Sequence, residues 1–194
     1  MQPPAQHVHW LFATGFLFLG LCLLAEAIVG QEVWRRRSWR PYLWPSVVFA
    51  MGVFMWPVMV FFTSSTIHML AHGMWAQILM LTGGAHLALA RGKLSSPYWR
   101  LTMPVTFVVS GWSLLLHETN PWFFQRSSFL HHVLGWLLIG TAVVPLVAAL
   151  RRRSLVWNGG FALVVVLIAV LLYCDRDVAP IFGRLSPLAG EPHR

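Results

Sequence analysis

Nine histidines occur in this chain of 194 residues, and five of them fall near the ends of predicted helices. His68 and His72 are four residues apart, which places their imidazoles on one helix face, about 6 Å apart along the axis. Two imidazoles at this spacing converge on one metal ion. His117 and the adjacent pair His131 and His132 lie on either side of a short connection later in the chain. Together these five side chains predict a metal or haem site.

Two methionines, Met69 and Met74, lie close in sequence to the first histidine pair. Thioether and imidazole ligands together suit copper, especially Cu(I). A histidine near a membrane interface is also stable without a metal, either as an amphipathic ring at headgroup depth or in an ordinary hydrogen bond. We expect His7, His9 and His193 to be of this second kind.

A haem site is the alternative for the same region. His72 and His86 are fourteen residues apart, so both rings lie on one helix face, about 21 Å apart along the axis. Helices that hold two haems place their axial ligands in this way. This alternative predicts one b-type haem, with His72 and either His131 or His132 as its axial ligands. His86 has no histidine partner at its depth, where Met103 is a conceivable substitute.

The acidic residues give no sign of catalysis. His117 begins no H-E-x-x-H motif, because Pro121 interrupts the helix where the second histidine would stand. No nucleophile and base lie together, so we predict no enzymatic activity. We expect Glu26 to snorkel to the interface or to pair with a nearby arginine. We expect Asp175 and Asp177 to be solvated, with a place in the metal site as the alternative.

Composition defines the elements that must position these residues. The chain is 57% hydrophobic and 10% charged, with a mean hydropathy of +0.65. A soluble domain carries about a quarter charged residues. Low charge also excludes a disordered chain, and two cysteines exclude a disulfide framework. The chain is therefore predicted to be an all-α integral membrane bundle.

Six apolar stretches are long enough to cross a bilayer, which requires about 20 helical residues. We predict a single transmembrane domain over 1–194, with an irregular outer tail over 178–194. The predicted spans are about 10–30, 43–62, 67–90, 101–117, 130–150 and 155–173.

The basic residues set the orientation. Ten of the 14 lysines and arginines follow the first, third and fifth predicted spans. By the positive-inside rule that side is cytoplasmic, so both termini and the five clustered histidines face outward. A multi-pass protein of a prokaryotic plasma membrane is expected, with the bilayer as a partner and no nucleic acid needed to explain the charge. The ten residues are Arg35, Arg36, Arg37, Arg40, Arg91, Lys93, Arg100, Arg151, Arg152 and Arg153.

The run from Ser65 to His72 resembles the H-M-x-x-H signature of the CtaG-like cytochrome c oxidase assembly factors. His117 with Pro121, and then His131-His132 with Gly135-Trp136, resembles the second histidine region of that family. The similarity covers about residues 65–145. It implies copper handling for a haem–copper respiratory oxidase. The implied ligands are His68, His72, His117 and one or both of His131 and His132.

We therefore expect copper binding at an outward-facing histidine cluster, for oxidase assembly or in an accessory subunit. The expected partners are haem–copper oxidase subunits or other membrane subunits of a respiratory complex. Two alternatives stay open: a b-type haem electron-transfer subunit, and a structural subunit without a cofactor.

Overall fold

The computed structural model describes residues 5–62, 66–117, 125–150 and 155–176. Throughout these ranges the regular structure is helical, as the composition predicts, and no strand occurs in them. Short 3₁₀ helices cover Arg40–Tyr42 and Pro97–Leu101. The α-helices are α1 (Ala5–Val29), α2 (Gln31–Arg35), α3 (Leu43–Phe62), α4 (Thr66–Ala90), α5 (Thr102–His117), α6 (Gln125–Thr141), α7 (Val143–Leu150) and α8 (Leu155–Tyr173).

Three helical stretches in the described part of the chain are long and apolar enough to cross a membrane: Gln6–Val29, Arg40–Phe61 and Phe129–Val147. Trp157–Tyr173 is apolar but shorter. Helix α4 has 25 residues, but its histidines, threonines and Gln77 lower its hydropathy. Length and composition thus indicate a helical membrane protein.

The fifth predicted span contains a break. Helix α6 ends at Thr141 and α7 begins at Val143. Pro145 has no N–H to donate to the carbonyl of Thr141, so the hydrogen-bond ladder is interrupted there. The N–H of Ala142 is shared between the carbonyls of Leu138 (3.1 Å) and Ile139 (3.2 Å). The span is therefore two consecutive helices rather than one regular helix.

The helices form a closed bundle of antiparallel neighbours. Helix α1 packs along α8, α3 along α4, and α5 along α6, while α4 also contacts α5, and α1 contacts α3. Helices α6 and α7 reach α8 and close the ring. Its core is formed mainly by large apolar side chains such as Phe12, Phe16, Met55, Leu134 and Ile168.

Helices α3 and α4 approach each other closely at Gly83. A Cβ added there would lie 2.5 Å from the backbone nitrogen of Phe49, so only glycine fits. At the neighbouring Gly84 the nearest atom would be at 3.9 Å, an ordinary contact. The structure shows close approach, in an unbroken α4.

Candidate functional site

A buried cavity of about 70 Å³ lies at the end of the bundle where α1 begins. Helices α1, α3, α4, α5, α6 and α8 all contribute to its wall, so every long helix reaches it. Three histidines line it: His9 from α1, His72 from α4 and His131 from α6. The rest of the wall is mainly apolar, with Phe12, Phe16, Trp75 and Leu134 among its members.

The structure distinguishes the two adjacent histidines of α6. The His131 side chain is 7% exposed and lines the cavity, whereas His132 is exposed. Consecutive helical residues differ by about 100° in direction, so only one of the pair can face the bundle axis. Sequence reasoning had left this choice open.

His9 is held by a buried carboxylate. Its Nδ1 is hydrogen-bonded to Oδ2 of Asp175, which follows α8 and is 3% exposed. An ionised carboxylate only accepts hydrogen bonds, so Nδ1 donates, and in the neutral imidazole Nε2 then carries the lone pair. The His9 ring lies edge-on to His131, with 5.6 Å between ring centroids and 90° between planes.

Neighbouring residues fix this carboxylate in position. The indole N–H of Trp10 donates to the backbone carbonyl of Asp175 at 3.2 Å. The Arg176 guanidinium lies 5.2 Å from the Trp10 ring centroid and also donates to that carbonyl at 3.2 Å. On the next turn of α1, the hydroxyls of Thr14 and Tyr173 are 2.7 Å apart. Helices α1 and α8 are thereby joined beside the cavity.

One expectation from the sequence is wrong here. Asp175 is buried rather than solvated, because α1 covers the end of α8 and supplies its partner. His9 is hydrogen-bonded, as expected, and it also lines the cavity with His72 and His131. The signal that could have brought His9 and Asp175 together was depth, since each lies at the same predicted end as the histidine cluster.

The methionine that lines the cavity with the histidines is not one of the two that the sequence indicated. Met69 and Met74 are 47% and 49% exposed, so both point away from the bundle interior. Met55 of α3 is 2% exposed and lines the cavity. Its helix is adjacent to α4 in space, which spacing within α4 alone does not reveal.

Some predicted site residues are placed only by their helices. His68 lies in the first turn of α4 and His117 ends α5, both at the cavity end of the bundle. Their side chains lie outside the described part of the structure, as do Asp177 and His193 entirely.

The side chains that line the cavity are of types that soft and borderline ions accept as ligands. Among the described residues, no three His, Cys, Asp or Glu side chains lie close enough to hold one ion. The cavity instead gathers three imidazoles and the thioether of Met55 around one small space. Imidazole and thioether ligands suit copper, and a carboxylate behind a histidine is the usual outer partner of a metal ligand.

His86 and Met103 lie at the opposite end of the bundle, where both line a second cavity. Glu26 lines it too and accepts a hydrogen bond from Nε2 of Gln31 at 3.4 Å.

The chain matches no family model, no curated protein and no solved structure. Its class is thus defined by its own features: a helical membrane protein with a buried, histidine-lined cavity.

Proposed function

We propose that this protein binds copper at the cavity lined by His9, His72 and His131, in the service of a haem–copper respiratory oxidase. It would act as an assembly factor or as an accessory subunit of the oxidase. The proposal includes six membrane spans in a prokaryotic plasma membrane, with both termini and the histidine cavity on the outer side. The arginines and lysine at the other bundle end support this orientation through the positive-inside rule.

The pairing of His9 with Asp175 is the observation that carries the proposal. Burial of a carboxylate among apolar helices is costly unless the group is paired. The pairing holds the imidazole in the tautomer whose Nε2 can bind a metal. An interfacial histidine needs no such partner, so this arrangement favours a ligand role for the ring.

Cavity size favours an ion over a porphyrin. Pockets for drug-sized ligands and cofactors measure about 300–1,000 Å³. The space between these histidines is about 70 Å³, which suits an ion and a few small ligands. Neutral imidazoles and the Met55 thioether would hold the ion, and exchange of ligands with a partner would release it.

Copper content of the purified protein tests the proposal, with a matched control on the same helix. The double variant His72→Ala/His131→Ala removes two cavity imidazoles. The control His132→Ala removes an exposed imidazole from the residue next to His131. We expect copper at a fixed stoichiometry in the unaltered protein and the control, and background levels in the double variant. Equal copper in all three proteins would disprove the proposal.

The apolar wall supports a second candidate, a b-type haem held by His72 and His131. Haem sites are lined by apolar side chains, as this cavity is by Phe12, Phe16 and Leu134. A reduced-minus-oxidised visible spectrum separates the two candidates, because bis-histidine haem gives sharp α-bands. If such bands appear and are lost when His72 and His131 are replaced, the cofactor of this cavity is haem rather than copper. No bound metal and no chromophore would leave the structural-subunit alternative.

A further inference from the structure

A row of hydroxyl side chains follows one face of α5 and is joined by one residue of α4. The α5 members are spaced by four, four and three residues, so they share one helix face over about 16 Å of its axis. All but the first are buried, and the α4 member is buried as well. This hydroxyl row consists of Thr102, Thr106, Ser110 and Ser113 of α5 and Thr82 of α4.

The hydroxyl row extends from one cavity of the bundle to the other. The second cavity, at the basic end, measures about 890 Å³ and is lined by His86, which lies one helical turn from Thr82 on α4. At the far end of the row, Ser110 and Ser113 line the histidine cavity. The row therefore places hydroxyl groups in the part of the bundle that separates the two cavities.

The other helices are apolar at this level of the bundle. Leu19 of α1, Met51 of α3 and Val165 of α8 are buried there, each between residues of its own helix that line the two cavities. Within the described residues, a buried hydroxyl outside the row occurs at Thr141 of α6, and it donates to a carbonyl of its own helix. A polar path through the described core therefore follows the hydroxyl row.

Hydrogen bonds in the middle of the row can point in either direction. The hydroxyls of Thr82 and Thr106 are hydrogen-bonded to each other, and they lie 3.2 and 2.8 Å from the backbone carbonyl oxygen of Thr102. A hydroxyl has one hydrogen to donate and two lone pairs. Either Thr82 donates to Thr106 and Thr106 to the carbonyl, or Thr106 donates to Thr82 and Thr82 to the carbonyl. Proton transfer along a chain of hydroxyls requires this kind of reversal.

The rest of the row has a spacing that water molecules can bridge. Residues three or four apart on a helix have Cβ atoms about 5–6 Å apart, a separation that one water spans between two hydroxyls. This spacing holds from Thr106 to Ser110 and from Ser110 to Ser113. The histidine cavity, at about 70 Å³, has room for water, and His9 in its wall is 22% exposed, so the cavity adjoins the surface.

We propose that the hydroxyl row, with bridging waters, carries protons between the two cavities, so that the protein conducts protons through its bundle. A proton that enters at one end displaces a proton from each hydroxyl to the next, and one proton leaves at the other end. Contact between α4 and α5 needs only the bond between Thr82 and Thr106, so it does not account for hydroxyls that continue to the cavity wall. The path runs through water and hydroxyl groups and does not depend on bound copper.

Proton flux into proteoliposomes tests this activity. The full-length protein is reconstituted in vesicles that contain a pH-sensitive dye and a chelator that removes copper, and a potassium diffusion potential set with valinomycin drives the protons. We expect a faster change of internal pH than in protein-free vesicles. Equal rates would overturn the proposal. Because copper is absent, either result is independent of the copper site.

Variants that lack one hydroxyl connect the flux to the row. Thr106→Val and Ser110→Ala should each lower the protein-dependent flux by about tenfold or more, the effect of one unmade hydrogen bond in a buried position. Thr106→Ser keeps the hydroxyl and should keep the flux. An unchanged flux in either of the first two variants would refute the path, and so would an equal loss in Thr106→Ser and Thr106→Val.

Thr141→Val is the matched control, because it removes a buried hydroxyl that lies outside the row. Its flux should equal that of the unaltered protein. If Thr141→Val lost as much flux as Thr106→Val, the loss would come from altered helix packing, and the hydroxyl row would not be the path.

Discussion

The two cavities lie at opposite ends of the same helices, yet they suit different ligands. The histidine cavity is small and buried, and one of its rings is fixed by a buried carboxylate. The basic-end cavity is more than ten times larger and has exposed arginines at its mouth. Helix α4 supplies a histidine to each, His72 to the first and His86 to the second. The neighbours of a histidine, rather than its residue type, therefore determine what each cavity can hold.

Crossed variants test this separation most strongly. Loss of two cavity imidazoles in His72→Ala/His131→Ala should lower copper affinity by more than about 100-fold, because removal of a single outer-shell partner already costs 10–100-fold. Arg35→Gln/Arg100→Gln, which changes the lining of the cavity at the opposite end, should leave copper affinity unchanged.

Copper titration of both variants gives the readout, and helical circular dichroism checks that each variant is folded. If Arg35→Gln/Arg100→Gln lost copper while its circular dichroism stayed intact, the two cavities would not be independent.

The second largest effect is expected at the buried carboxylate. Asp175→Asn keeps the size of the side chain but removes the charge that orients His9. Copper affinity should fall by about 10–100-fold. Isothermal titration measures this change, with Cys174→Ser, an exposed neighbour, as the control. Unchanged affinity would mean that the His9–Asp175 pair serves only to join α1 to α8.

Acidification should weaken copper binding at the histidine cavity. Metal-binding imidazoles must be neutral, so protons that compete for these ligands lower the affinity for the ion. Lowering the pH from 7.5 to 5.5 should lower the affinity for copper by about tenfold or more. A copper affinity that is constant with pH would argue against imidazole ligands.

The smallest effect is expected at Met55. Met55→Leu conserves volume and should change the free energy of unfolding by less than about 1.5 kcal/mol. Removal of the thioether should lower the affinity for Cu(I) more than the affinity for Cu(II), since soft ligands select Cu(I). Competition with a Cu(I)-specific chelator measures this, and Met69→Leu on the exposed face of α4 is the control. Equal results for both variants would exclude Met55 as a ligand.

Local patterns in the sequence were enough to predict the helices. Runs of about 20 apolar residues have few stable conformations other than a helix inside a bilayer, because each backbone group must be hydrogen-bonded within its own segment. The break before Pro145 also follows from local chemistry, although the apolar run alone suggested one regular span. His72 and His131 likewise indicated that α4 and α6 contribute to the histidine cavity.

The rest of the site could not be read from spacing. His9 and Asp175 are 166 residues apart, and they meet only because α1 packs along α8. Met55 replaces Met69 and Met74 for a similar reason, since α3 faces the cavity while those two positions of α4 face outward. Helical periodicity gives relative directions within one helix but does not say which face meets a neighbour.

The sequence by itself determined a helical membrane protein with its basic residues at one end and most of its histidines at the other. Hydropathy and charge are properties of short segments, so both can be evaluated without knowledge of how the helices pack. Only the tertiary structure decided that His131 and not His132 faces inward, that His9 is held by Asp175, and that His86 belongs to a separate cavity. Those outcomes depend on which helices are neighbours and how they are rotated, and both are fixed by side-chain packing across the whole bundle.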